Sequence, residues 1–531
     1  MQKVSESWKN AHEQTLLNES YVEVSLDITD PDAMLDATAE DNGSIYVSGT
    51  TDVVSEIDYP TLPYGTLEQN IWLLDGKRKV IPKDDYMHGG LIGDVLSNEE
   101  CVFLTKVPII TIKFSELHRN IIPGITIGWG TAYNEYATHF IITAYNGGRV
   151  IAEKEIIDNQ SVTTEITMDI VDYDLITIRI LEWCLPNHRA RVDEIMLGWH
   201  KVYSKADLFS YSHQQRVDPI STSLPKMEIK FSIDNSDNSY NPYNVNGLSK
   251  YIMERQEVNV RYGLKVDNDT IEWIKGGVFY LSEWYAKQNG LSADFVARDL
   301  LEFMSDIYKD SISEITERSL YDLATQVLMA ANLPLNDDGT VKWVVDESLK
   351  SIHTTAPIPE DTISNCLQLI ANAGACAIYP DRNGILHIKP TNDTLTDYVI
   401  NSFNSYSKPE ITLSKPIKQV IVKVYNYTIG ADGVSSTVTE SVTNIGDTGG
   451  TITLDNPLIT DEIWASVLGE WVANYYRHRG TLKVSGRADV RLDALDIVVN
   501  ENDYGANLMR MTDVEFKFNG SFRGTGEGRV I

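Results

Sequence analysis

The chain has 531 residues, of which 42% are hydrophobic, with 27 Tyr and 10 Trp, so it can bury several packed cores and is not a disordered tail. Its 45 Lys and Arg stand against 76 Asp and Glu, a formal net charge of −31. That balance argues against a protein that grips nucleic-acid phosphates, because any surface that did so would have to be locally basic.

Residues 1–20 read as a short polar helix or arm with no apolar core for a signal peptide, and no run approaches the roughly 20 apolar residues that span a bilayer. The four cysteines, Cys101, Cys184, Cys366 and Cys376, form no C-x-x-C pair and read as buried reduced thiols, which suits assembly in a reducing cytoplasm. The first strand is YVEVSLDI, with Val22, Val24, Leu26 and Ile28 on one face, stopped by Asp30-Pro31. Residues 30–60 are acidic and aperiodic and read as a surface excursion, and the landmark TLEQNIWLLDGKRKVIP follows at 66–82. From about 100 to 204 comes a dense run of short strands, among them VPIITIKF, GITIGW, THFIITAY and DLITIRIL, broken by frequent turn residues. That spacing predicts a β-sandwich.

Strand alternation returns in MEIKFSID, where Met227, Ile229, Phe231 and Ile233 share a face, and in Val258, Val260 and Tyr262. Between them lies an Asn, Asp, Ser and Pro-rich turn segment. Its Asp234-Asn235-Ser236-Asp237-Asn238 has the oxygen content of a calcium loop but neither the glycine nor the distal glutamate of an EF-hand, so a structural turn is expected. Residues 312–392 switch to helical spacing. One helix carries Leu320, Leu323, Ala324, Val327 and Leu328 behind Ser319 as N-cap, and a second runs from Ile363 to near Gly374. A hairpin closed by Asp381-Arg382-Asn383-Gly384 follows. The last part opens with alternating Val420, Val422 and Val424. It continues through a helix at 460–479, capped by Thr460 with Trp464, Val467, Leu468, Trp471, Val472 and Tyr475 as its buried face, and ends in strands.

Residues 227–303, with MEIKFSIDNSDNSYNPYN, EWIKGGVFYLSEW and GLSADFVARDLLEFM, resemble the first β-barrel of the tail-hub proteins of tailed bacteriophages. The RLDALDIVVNENDYG strand text and the terminal FNGSFRG hairpin resemble the second barrel of those hubs, and segment 66–82 resembles tail-tip proteins of phages of Gram-positive hosts. The order ITIKF, PGITI, FIITAY, YDLITIRI and ARVDEIMLG looks like a galactose-binding-like jelly roll. The expected fold is therefore mainly β with an α+β linker: two hub-type β-barrels plus a jelly-roll β-sandwich. Its expected divisions are 1–99 for the arm and first hub strands, 100–204 for the sandwich, 205–311 for barrel one, 312–409 for the linker and 410–531 for barrel two.

The resemblance implies a structural virion protein of a tail tip or baseplate, assembled in the host cytoplasm. It would be a homotrimer that extends and closes the tail tube and meets distal-tail, tube, tape-measure and receptor-binding proteins. No stable nucleic-acid binding, cofactor or metal is expected. The alternative is an adhesin that recognises host cell-wall polysaccharide, and a wall hydrolase is a third reading. No G-x-S-x-G, H-E-x-x-H or G-x-x-x-x-G-K-[ST] pattern is present, so no catalytic residue is assigned and no enzyme is expected. Gly524, Gly526 and Gly528 are expected in turns. Two constellations remain. Trp129, Tyr133, Tyr136, Trp183 and Arg189, with His188, offer rings and a guanidinium of the kind that sugars need, although core packing and loop anchoring explain the same residues. Arg477, Arg479, Arg487 and Arg491, with His478 and Lys483, form a basic segment that suits an acidic neighbouring subunit.

Overall fold

In the computed structural model the described residues are 1–14, 18–41, 45–46, 54, 90–267, 270–286, 290–310, 316–336, 340–430, 433–502 and 505–531. The segment 66–82 lies outside them. The fold is mainly β, and its largest element is a single 13-stranded sheet. Gly198–Tyr203, Ser20–Thr29, Glu257–Lys265, Ile271–Ala286, Ser292–Arg298, Lys226–Asp234 and Leu208–Arg216 follow one another in the first half of that sheet. Gly505–Phe518, Phe522–Val530, Gly480–Arg487 and Glu410–Leu413 continue it, with Ile497–Asn502 and Leu395–Ile400 branching from Gly505–Phe518.

The halves meet where Leu208–Arg216 pairs antiparallel with Gly505–Phe518, from Tyr211 opposite Phe518 to Arg216 opposite Asp513. The long strand serves two partners on one side: residues 505–510 pair with Ile497–Asn502, and residues 513–518 pair across the seam. An irregularity at Met511–Asp513, where Val217 donates its N–H to the Thr512 carbonyl at 2.9 Å, marks the change of partner. Alternation turns Tyr211, His213, Phe516 and Phe518 inward, and one apolar core containing Val22, Phe231, Val258, Phe516 and Met511 runs beneath both halves. The barrel-like halves thus share a sheet and a core.

The N-terminal arm crosses this core. Helix α1, Glu6–His12, is capped by Ser5 and buries Trp8 and Ala11. Ser5 donates to Glu272 of the first half, while Lys9 pairs with Asp397 at 2.9 Å and Gln2 donates its N–H to the Arg491 carbonyl at 2.8 Å in the second.

The chain leaves the first half at Thr29 and returns at Gly198, which sit opposite each other in the register. The excursion contains a sandwich of two five-stranded sheets with its own core, which includes Ile112, Ile127, Trp129, Phe140, Ile178 and Trp183. The short helix α2, Pro31–Asp36, begins it behind its cap Asp30.

A third core joins α3, Leu320–Ala330, and α4, Ile363–Ala373, to α5, Glu462–Arg477, and to Val420, Val422 and Val424 of the strand Ile417–Gly430. That strand lies in a separate three-stranded sheet, so α5 and its sheet pack with the helical linker. Ser319 accepts from the Asp322 N–H at 3.0 Å as expected. In α5 the cap is Asp461, not Thr460: Asp461 accepts from the Trp464 N–H at 2.8 Å, whereas Thr460 Oγ1 accepts from the Thr355 N–H at 3.2 Å. The buried face also differs, being Ala465, Leu468, Gly469, Val472 and Ala473, with Val467 47% exposed. A Cβ at Gly469 would collide with Thr443 Oγ1, so small residues let this helix settle close to its sheet. Gly524, Gly526 and Gly528 lie within the strand Phe522–Val530, not in turns. Ala488, Met511 and Arg510 occupy the space that their side chains would need.

Candidate functional site at the seam

The elements that meet at the seam bring together a polar group that sequence reasoning did not assemble. The hairpin at 381–384 turns with Gly384 at φ +75° against Val278 and carries Arg382 inward, 2% exposed. Arg382 donates to Asp493 Oδ1 at 2.6 Å, to the Leu492 carbonyl at 2.8 Å and to the Lys275 carbonyl at 3.1 Å. One side chain therefore ties the linker to both halves of the sheet. Gln2 reaches the other Asp493 oxygen at 2.8 Å, the amine of Met1 lies 2.6 Å from Asp496, and Gln215 on the seam strand accepts from the Ala494 N–H at 3.0 Å. Burial alone would raise the Asp493 carboxyl, but Arg382 and the Met1 amine hold it below its ordinary value.

Behind them His213 Nδ1 lies 2.7 Å from the Tyr262 hydroxyl, which is 2.7 Å from that of Tyr211, amid Phe279 and Phe516. Burial, then the charge of Arg382, pushes His213 down to about 3, so the ring is neutral. A neutral imidazole with no exposed surface, sealed among aromatic rings, has no route to a substrate. The arrangement fastens elements together. The signal that could have found it is the Arg inside a D-R-N-G turn, a charged residue where a hairpin needs only a polar one.

The sugar-site candidates are placed as follows. Trp129 and Trp183 are fully buried, 6.1 Å apart in a T-shaped pair, and donate to Thr164 Oγ1 at 2.9 Å and Glu135 Oε2 at 2.8 Å. Tyr133 is half-buried beneath the Arg191 guanidinium at 4.4 Å. Tyr136 is half-buried with its N–H on Cys184 Sγ, and Arg189 donates to the Gly93 carbonyl at 3.1 Å. His188 Nδ1 is 3.1 Å from Glu135 Oε1, both buried. The loops do converge, around Glu135 and Arg191, which the sequence did not single out. The two indoles, however, present no face to a ligand in this conformation.

The basic segment does not form one patch. Arg491 is buried and bidentate to Asp489, at 2.6 Å and 2.9 Å. Burial alone would raise Asp489, but His12 and Arg491 hold it low. Arg477 pairs with Glu470 at 3.0 Å and Arg479 donates to the Ser414 carbonyl at 2.8 Å, both near the end of α5, while Arg487 lies on the outward face of the sheet and donates to the Gln14 carbonyl at 2.8 Å. In the Asp234–Asn238 loop, Asp234 and Asp237 accept from Ser236 and Ser239 in local turns. Among the described residues no cluster of metal-ligating side chains occurs, all four cysteines are free thiols, and no helix is long and apolar enough to cross a membrane.

No protein-family model and no curated protein matches the chain. Among solved structures, similarity is found to the 43 kDa tail protein of prophage MuSo2 from Shewanella oneidensis, at 11% identity over 62% of this chain and 95% of that one, with a TM-score of 0.42. A tail protein from Neisseria meningitidis MC58 is similar at 10% identity over 74% and 97%, with a TM-score of 0.42. The prophage tail protein gp18 from Listeria monocytogenes EGD-e is similar at 9% identity over 62% and 91%, with a TM-score of 0.39. Likeness this loose assigns no function, which has to be argued from the chain's own residues.

Proposed function

We propose that the chain is a structural component of a phage-type tail tip, a hub that works by holding and joining other proteins. The observation that carries this reading is the seam: two barrel-like halves joined strand to strand over one core, with a strap and an Arg-bearing hairpin across the junction, make a stiff body. The hub-like segments at 227–303 and at the C-terminus are the strands that build it. Among the described residues Gly198–Tyr203 pairs only with Ser20–Thr29, Glu410–Leu413 only with Gly480–Arg487 and Leu395–Ile400 only with Ile497–Asn502, so the branched sheet ends in three edges. The edge strand Glu410–Leu413 exposes Ile411 and Leu413. Unprotected edges favour association, and joining unlike edges from copy to copy closes a ring. The reading accordingly has three copies in the virion, meeting tube, tape-measure, distal-tail and receptor-binding proteins, with the sandwich as a jelly-roll module on the outside. It includes no catalysis.

The test is the mass and symmetry of the purified chain, by light scattering and negative-stain microscopy, alone and with a tail-tube protein. A threefold ring is expected. A stable twofold dimer, or a monomer that a tube does not assemble, would overturn the hub.

A further inference from the structure

An asparagine followed by glycine carries a reaction of its own. The glycine nitrogen, once it has lost its proton, attacks the asparagine Cγ, ammonia leaves, and a succinimide ring forms. Water then opens that ring at either carbonyl, giving aspartate or isoaspartate. Glycine favours the attack because it has no Cβ to shield the nitrogen or to restrict the backbone. Four such steps fall wholly within the described residues: Asn146-Gly147, Asn246-Gly247, Asn383-Gly384 and Asn519-Gly520.

Three of them are held back. The Gly147 N–H is donated to Asp174 Oδ2 at 2.7 Å, that of Gly247 to the Asn244 carbonyl at 2.9 Å and that of Gly384 to the Asp381 carbonyl at 3.1 Å. A nitrogen whose proton is shared with an acceptor has to give up that bond before it can turn on the side chain beside it. Asn519-Gly520 is different. It lies at the tip of the turn between Gly505–Phe518 and Phe522–Val530, where Asn519, Gly520 and Ser521 are all exposed. Among the described residues neither the Gly520 N–H nor the Asn519 side chain makes a hydrogen bond. Inside the turn the Asn519 N–H reaches the Ser521 carbonyl at 3.4 Å, too long to fix the tip firmly.

We propose that Asn519 is a site of spontaneous modification, converted by its own backbone and water to aspartate and isoaspartate while the other three steps persist. The change adds a negative charge. Isoaspartate also leads the main chain through the side chain, which lengthens the turn by one backbone atom. That turn has to keep Phe518 opposite Phe522, with their rings 5.1 Å apart. Phe518 stands opposite Tyr211 across the seam, and the Phe522 ring lies 5.3 Å from that of Tyr262. A slow, one-way change at an exposed tip thus reaches the aromatic rings that close this end of the core, and it ages the junction without any enzyme.

The experiment is to incubate the full chain at pH 7 and pH 9, digest it in mild acid and follow the four Asn-Gly peptides by liquid chromatography and mass spectrometry. The Asn519 peptide is expected to gain the mass difference between an amide and an acid and to split into two forms. It should do so faster at pH 9, because the attacking nitrogen must lose its proton. The other three should lag by about fivefold or more, the factor that an ordinary hydrogen bond on the N–H is worth. In urea, where no fold protects them, all four should react at similar rates. An intact Asn519, equal rates in the native chain, or the same ranking in urea would each overturn the site. The aged chain should melt below the fresh one and below a fresh Asn519→Asp variant, which carries the charge without the longer turn. Asn519→Gln should melt unchanged after the same incubation. An aged chain rich in isoaspartate that melts with the fresh one, or an equal loss in aged Asn519→Gln, would overturn the link from this turn to the core.

Discussion

Asp299 closes the A-R-D-L segment of the first half with its carboxyl shut away from water at 4% exposure. Its two oxygens accept the Met227 and Leu301 N–H groups at 2.9 Å and 2.8 Å. Burial pushes it up to about 7, further than those two bonds and the charge of Arg298 can pull it down. In the unfolded chain such a carboxyl ionises near 4, so between about pH 4 and 7 the native state holds the extra proton. Stability from this group is therefore highest at the acid end of that window and falls as pH rises through it, by of order 4 kcal/mol in all. Asp299→Asn cannot ionise, and its amide sets an NH₂ against one of the two N–H donors. Urea unfolding at pH 5 and pH 8 should show the variant less stable than its parent at both, with the gap narrowing at pH 8. A gap that widens with pH would show that the buried carboxyl is stabilised as an anion.

The element that matters most to the junction is the 381–384 hairpin, because a turn that only had to reverse the chain would not carry a buried guanidinium. Replacing Arg382 by Met keeps much of the volume and strips Asp493 of its strongest partner, which should cost about 3 kcal/mol at pH 7. Asp493 sits below its ordinary value, so its contribution is present above about pH 4 and lost as pH falls through the native value. The parent should thus lose more stability on acidification than Arg382→Met does. In a double-mutant cycle, Arg382→Met/Asp493→Asn should fall well short of the sum of its parts. Additive losses in chemical denaturation would mean that the two side chains act separately. The hairpin itself is legible from D-R-N-G, and so are α3, α4 and the alternating strands, because local chemistry fixes them. The partner of Arg382 is 111 residues away and was not legible. The same limit explains α5, where ranking by size chose Val467 and Trp471 while the sheet surface selects Gly469 and Ala473. It also explains Trp129 and Trp183, whose place beside turns suggested a surface and whose burial depends on two sheets closing over them.

At the scale of the molecule, the cores are connected unequally. The sheet core and the helical core are bound together by Arg382 and by Gly384 packed on Val278, whereas the sandwich joins the rest through two chain crossings, Ile121 packed against the sheet core and a few polar contacts. Those contacts include Lys250 with Asp169 at 2.8 Å, Lys201 with Glu165 at 3.0 Å and Thr126 Oγ1 on the Gly198 carbonyl at 2.7 Å. The two ion pairs are exposed and contribute at most about 1 kcal/mol each, and the buried Thr126 bond adds about as much, too little to make two cores melt as one. Calorimetry should therefore resolve two transitions, one for the sandwich and one for the sheet with its helical linker. Trp129→Ala empties part of the sandwich core and should cost about 3–5 kcal/mol there, lowering the first transition and leaving the second in place. Trp8→Ala opens the sheet core beneath the arm and should do the reverse, by a similar amount. The pair also bears on the sugar reading. If Trp129 served a ligand from the surface, its removal would leave both transitions where they were, and a single transition lowered by either change would show that sandwich and sheet fold as one unit.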